Sequence, residues 1–192
     1  GISFPQGVRS VNNSRHFLIG ELEKSLSRLG TDYVDIWQIH TWDMDNALED
    51  TLSALDFAYT SGKARYVGIS NFNGWQSARA ISLQEANTAK APIATLQSEY
   101  SLLNRSIESE IVDCASELGL GILAWSPLGR GVLTGKYRNS IPADSRGATP
   151  HFAKFISEYL NRDAARIVEA VAAAASGLGY SPLEVALAWV RD

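Results

Sequence analysis

Short runs rich in β-branched and aromatic residues alternate along the chain with stretches of helical period, and the runs start near Tyr33, Arg65, Ile93 and Gly121. A spacing of roughly 30 residues is the length of one strand-plus-helix unit. The first helix is predicted after Ser14 as cap, with Phe17, Leu18, Leu22, Leu26 and Leu29 as its apolar stripe and Gly30 as its stop. A strand over 33–40 follows, then a helix over 46–60 that ends at Gly62, a strand over 66–70 and a helix over 74–87. A strand over 94–99, a helix over 107–118 and a strand over 121–125 complete the alternation. Strands separated by helices must pair in parallel, and a parallel sheet needs both faces covered, so the class is α/β. A barrel and an open doubly wound sheet both satisfy this.

The last third reads differently. Residues 137–159, with Pro142, Gly147 and Pro150, predict a long loop of the kind that is functional or mobile. Helicity returns over 162–175, and Ser181-Pro182-Leu183-Glu184 forms a capping box with proline at the first helical position.

Composition narrows the picture. At 192 residues, 45% hydrophobic and 20% charged, the chain is an ordinary globular protein of one domain. Such a chain buries roughly 70% of its unfolded surface and needs no disulfide or metal staple. A net charge of −4 with no basic run argues against a nucleic-acid partner. The one cysteine, Cys114, reads as a small buried hydrophobe and fits a reducing compartment. The stretch from Gly1 to Gly7 has no secretion-signal pattern and no run reaches membrane-spanning length, so a cytoplasmic protein without a membrane partner is expected. Because the chain starts at Gly1, has Met44 as its only methionine and stops just after the apolar run 185–190, it is expected to be a piece of a longer protein.

In α/β barrels the reactive residues gather at the carboxyl ends of the strands. Here the runs close on Gln38 and His40, on Ser70-Asn71, on Gln97-Ser98-Glu99 and on Trp125-Ser126. Glu99 is the one carboxylate among them. Such a set favours hydrogen bonding to a neutral polar group and stacking over metal hydrolysis or glycoside cleavage. Rival motifs fail individually. Gly119-x-Gly121-x-x-Ala124 precedes a strand instead of opening a helix, so it is a helix stop and not a dinucleotide fingerprint. Gly135-Lys136 has Arg130 where a phosphate loop needs its first glycine and Tyr137 where it needs serine or threonine. His16, His40 and His151 show neither i, i+4 pairing nor a neighbouring cysteine, and no metal site is expected. By itself His40 reads equally well as a structural residue.

Its company is specific. Four blocks, Leu29 to His40, Gly62 to Phe72, Gln97 to Ser101 and Ala124 to Tyr137, resemble the aldo-keto reductase family in order and interval, and the Ser-Pro-Leu block with Gly-Lys-Tyr is similar to its bacterial and potassium-channel β-subunit branch. The resemblance implies a (β/α)8 TIM barrel of which this chain supplies about the middle four βα units. Residues 1–192 are then part of a single barrel domain, with the N-terminal strands and the last strand absent. It implies an NADP-dependent oxidoreductase that reduces aldehydes or ketones to alcohols by hydride transfer, with a small carbonyl compound as substrate. Of the family's tetrad of Asp, Tyr, Lys and His, the histidine alone maps here, at His40, so this piece alone is expected to be inactive.

The implied roles make chemical sense one by one. A donor from His40 would stabilise charge developing on the carbonyl oxygen. Ser70, Asn71 and Gln97 combine donors and acceptors for the nicotinamide carboxamide, and Trp125 offers a ring to stack on the nicotinamide. Ser126, Pro127, Leu128, Gly129 and Arg130 would wrap the pyrophosphate, with Lys136 and Arg146 as cationic phosphate contacts. Arg146 reads equally well as a solvated loop residue. Residues 137–159 would then close as a strap over the cofactor, mobile without it. The alternative is an NADPH-binding regulatory subunit of the same fold with little turnover; an inactive stand-alone half barrel would leave two bare sheet edges.

Overall fold

The computed structural model describes residues 2–3, 5–7, 10–86 and 90–192. The chain divides into two compact units, Gly1–Ser98 with Glu108–Leu123 and Glu99–Ile107 with Ala124–Asp192.

The first unit opens with a short antiparallel pair, β1 (Ile2–Ser3) and β2 (Ser10–Val11), that the hydrophobic pattern does not announce. Helix α1 (Arg15–Leu29) buries Leu18, Leu22 and Leu26, which recur every four residues and so share one face. Gly30 ends it with φ 67°, and the N–H of Thr31 closes onto the Leu26 carbonyl at 3.2 Å. The buried stripe is narrower than predicted: Phe17 is half-buried, and Leu29, in the last turn, is 65% exposed. Then follow β3 (Val34–Ile39), α2 (Leu48–Thr60), β4 (Ala64–Ser70), α3 (Gly74–Glu85), β5 (Ile93–Glu99), α4 (Ile111–Glu117) and β6 (Gly121–Trp125). The strands form one sheet in the order β3-β4-β5-β6, with β3/β4 and β4/β5 parallel.

The helix boundaries move where side chains compete for backbone groups. Helix α2 starts at Leu48 and not Asn46, because the Asn46 N–H and side-chain amide both bond the Asp43 carboxylate. Residues 106–109 form a 3₁₀ turn and α4 begins only at Ile111, since Glu110 is non-helical at φ −154° and its carboxylate accepts from the Gly74 N–H at 2.6 Å. Asn73 caps α3 in a capping box with Gln76; the end expected at Asn87 lies outside the described residues.

Alternation along the strands separates two faces. Ile39, Val67, Ile69 and Leu96 meet Leu22, Leu52, Leu55 and Ile81 of the helices in one core. On the other face Gln38, Gly68 and Thr95 stand side by side in register. The Gln38 amide donates to Thr95 Oγ1 at 3.0 Å across Gly68, where a Cβ would lie 2.2 Å from that oxygen. Glycine is required there for space.

In the second unit the residues after β6 turn through a 3₁₀ segment, Gly129–Thr134, and three helices follow: α5 (Pro150–Ser157), α6 (Arg162–Leu178) and α7 (Pro182–Arg191). Val132, Leu133, Ile156, Val168, Val171 and Ala186 form its core. Helix α7 carries the predicted capping box between Ser181 and Glu184, and Gly179 ends α6 at φ 75°. The predicted loop over 137–159 is corrected in its second half. Pro150 at the first helical position starts α5, and Ile156, fully buried, gives it an anchor. Among the described residues no single helix is long and apolar enough to cross a membrane.

Candidate functional site

Three predicted site positions meet at the carboxyl ends of adjacent strands in the first unit. Ser70, the last residue of β4, stands in register with Gln97 on β5, and its hydroxyl donates to Gln97 Oε1 at 3.2 Å. The Asn71 N–H bonds the Gln97 carbonyl at 2.9 Å. The Asn71 side-chain amide donates to Ser70 Oγ at 3.2 Å and to the His40 carbonyl at 2.8 Å. Asn71 holds φ 56°, a region that asparagine tolerates better than most residues. One carboxamide therefore ties the residue after β3 to the ends of β4 and β5. Ser70 is 1% exposed, whereas His40 and Asn71 are exposed.

The two residues after His40 are held as well. The Asn13 side-chain amide donates to the Thr41 carbonyl at 2.8 Å, and the Asn13 N–H bonds the Asp43 carboxylate at 2.6 Å. Trp42 packs edge-on against Phe72 at 5.1 Å and against Trp75 at 5.4 Å. Burial works to raise the Asp43 pKa, yet hydrogen bonds from the Asp45 N–H, the Asn46 side chain and the Asn13 N–H outweigh it and hold the carboxyl below its ordinary range. Asn13 and Asp43 escaped the sequence reading because neither ends an apolar run.

The other predicted residues lie in the second unit. Trp125 ends β6 and is half-buried, and the Ser126 carbonyl accepts from the Gly129 N–H at 2.8 Å to close a turn through Pro127 and Leu128. Ser126 and Arg130 hold left-handed φ values of 52° and 57°. At Gly129, φ 54°, a Cβ would meet Leu103 Cδ1 at 2.6 Å.

The side chain of Arg130 is fully engaged elsewhere. Its Nε and one terminal nitrogen grip both oxygens of Glu99 at 3.2 and 3.1 Å; the other terminal nitrogen reaches the Phe155 carbonyl at 2.6 Å and Glu158 at 2.5 Å. The guanidinium lies 3.8 Å over the Phe155 ring and 4.8 Å over that of Tyr159. The Tyr159 hydroxyl donates to Glu99 at 2.9 Å. Burial opposes the charge on Arg130, but the hydrogen bonds it donates to Glu99 and Glu158 raise its pKa above the ordinary arginine value; burial and the bond to Glu99 raise that of Tyr159. Tyr159 carried no signal in the sequence.

Lys136 is exposed, its amine 5.1 Å from the Tyr137 ring centre, and a Cβ at Gly131 would lie 3.5 Å from that amine. Arg146 is exposed with its guanidinium 5.7 Å over the Phe152 ring. Cys114 donates weakly to the Gly74 carbonyl at 3.4 Å, and burial, helped by Glu110, pushes its pKa up.

The family model described as Aldo/keto reductase family matches residues 4–192. L-glyceraldehyde 3-phosphate reductase of Escherichia coli (strain K12) is 37% identical over 194 residues, covering 96% of this chain and 54% of that protein. A probable voltage-gated potassium channel subunit beta of Oryza sativa subsp. japonica is 38% identical over 186 residues, covering 96% of this chain and 56% of that protein. The chain belongs to the aldo/keto reductase family. It spans about half the length of the curated relatives it matches.

Proposed function

We propose that these 192 residues are the middle four βα units of a closed (β/α)8 barrel, a single domain, and that the complete protein is an NADPH-dependent cytoplasmic oxidoreductase reducing small aldehydes or ketones to alcohols. The observation that carries the reading is the Asn71 amide, bonded at once to Ser70 Oγ and the His40 carbonyl at the carboxyl ends of parallel strands.

The donor set fits a nicotinamide cofactor. Gln97 Oε1 is taken by Ser70, so its Nε2 amino group, with no partner among the described residues, is available to a carboxamide oxygen. Asn71 and Ser70 complete a pattern of donors and acceptors that an amide can match. Trp125 supplies a ring for stacking, the turn from Ser126 to Arg130 supplies the Leu128 and Arg130 N–H groups for the pyrophosphate, that of Gly129 being used to close the turn, and Lys136 and Arg146 supply positive charge for phosphate groups. Arg130 contributes through its backbone, since its guanidinium is held by Glu99 and Glu158. When bound, the reduced nicotinamide supplies the hydride.

His40 acts on the substrate. A donor from its imidazole orients the carbonyl and stabilises the negative charge that develops on its oxygen, an effect largest where water is excluded. The proton donor is expected outside this chain, so the piece alone should not turn over. The test is oxidation of NADPH by the complete protein with a generic aldehyde, together with fluorescence quenching on cofactor binding. A complete protein that binds no nicotinamide cofactor overturns the reading. The near-equal identity to the channel subunit favours one second reading, a cofactor-binding regulatory subunit, which predicts quenching with very slow turnover.

A further inference from the structure

Glycine occupies positions 129 and 131, with φ 54° and 93°, yet the left-handed residue between them is Arg130. A side chain in that region is disfavoured and persists only when its surroundings over-determine it. The surroundings here are specific. Glu99 holds the guanidinium with two oxygens, Tyr159 fixes one of those oxygens, and Phe155 and Tyr159 flank the cation. The Arg130 and Glu99 side chains are only 7% and 12% exposed, so the pair is screened little by water.

We propose that Glu99 and Tyr159 are positioning residues for the cofactor's pyrophosphate: acting through Arg130, they keep the turn over 126–131, closed inside by the Gly129 and Gly131 N–H groups, in the backbone shape that presents the Leu128 and Arg130 amides to an anion. This rests on the NADPH reading above and adds residues that set cofactor affinity without touching the cofactor. The link is thermodynamic. If only a fraction of molecules holds the competent turn, the apparent Kd rises by the inverse of that fraction, so a turn held in about one molecule in ten binds roughly tenfold more weakly.

The decisive experiment compares NADPH quenching in the complete protein and its variants. Glu99→Gln removes the charge that pins Arg130 and should weaken NADPH binding about tenfold; Tyr159→Phe, which removes one hydroxyl, should weaken it about two- to fivefold. In the Glu99→Gln background, Arg130→Ala and Arg130→Gly delete the same guanidinium and orphan no buried carboxylate, since the remaining partner, Glu158, is 62% exposed. They differ in backbone preference alone. Glycine accepts φ 57° freely and alanine does not, so the glycine double variant should bind roughly tenfold more tightly than the alanine one. A common loss of packing would weaken both equally and cannot imitate that difference. Equal Kd for the two double variants, or a wild-type Kd for Glu99→Gln, overturns the proposal. Absence of quenching in the wild type overturns the NADPH reading itself, and this inference with it.

Discussion

The side-chain amide of Asn71 donates to the backbone carbonyl of His40 at 2.8 Å, while Asn71 itself holds φ 56°. The bond crosses from the end of β4 to the end of β3, and the left-handed backbone turns the carboxamide toward it. Asn71→Ala loses this bond and the one to Ser70 Oγ, and it also strains the backbone by about 1 kcal/mol. Asn71→Gly loses the same bonds without the strain. Urea unfolding should therefore rank the alanine variant below the glycine variant, and the reverse order would show that the backbone at 71 is not strained.

His40→Ala in the complete protein should lower kcat by roughly 10²- to 10⁴-fold, the range for one positioned hydrogen-bonding or proton-transfer group, with little change in cofactor Kd. Lys136→Ala should act the other way. Loss of a charge-assisted contact worth about 1.5–3 kcal/mol would weaken NADPH binding roughly 10- to 150-fold. Unchanged kcat in the first variant makes His40 a structural residue, and unchanged Kd in the second removes Lys136 from the site.

Gly68→Ala places a Cβ 2.2 Å from Thr95 Oγ1 and 2.8 Å from Gln38 Nε2. Threonine is stiff about χ1 and sits on a strand, so it yields little. Overpacking of this kind should cost about 1–3 kcal/mol, read as a lower urea midpoint, and adding Thr95→Ala should recover part of it. A wild-type midpoint for Gly68→Ala would show that the sheet opens at this point.

Asp43 should give the first unit an acid limb. Its folded pKa is depressed, because the four donating groups outweigh burial, so its contribution is complete above the unfolded carboxyl value of ~3.9 and is lost as pH falls through the folded one. Asp43→Asn should be less stable at neutral pH, and its deficit should shrink at pH values below the ordinary carboxylate range. A deficit independent of pH would show that Asp43 ionisation is not coupled to folding.

The segment between Tyr137 and Tyr159 should respond to cofactor in its first half only. Arg130 already fastens the Phe155 carbonyl and Glu158, whereas Asn139, Ser140 and Ile141 are exposed. Hydrogen exchange should show new protection over 138–149 on adding NADPH and little change over α5. Identical exchange in both states would end the role of this segment as a strap and leave Arg146 a surface residue.

How much of this was legible follows from the range of the interactions. The order of strands and helices, the Gly30 stop and the Ser181 cap depend on residues within four positions of each other, and each reads directly from the chain. Helix α5 did not, because it has only 8 residues and follows a proline in a loop-like stretch. The strand-end residues His40, Ser70, Asn71 and Gln97 were visible as polar stops to apolar runs, and the family blocks gave them roles.

By itself, then, the sequence determined the α/β class, the order of the elements and the chemical types at the strand ends, since local period and caps decide these. Only the tertiary structure decided which groups meet. Glu99 and Arg130 stand 31 residues apart, Tyr159 lies 60 residues from Glu99, and Asn13 lies 30 from Asp43. Such contacts depend on strand register and on where distant turns return, quantities that no short window of residues contains. The left-handed backbone of Ser126 and Arg130 belongs with them, because neither residue favours it and only the packed surroundings make it the lowest state.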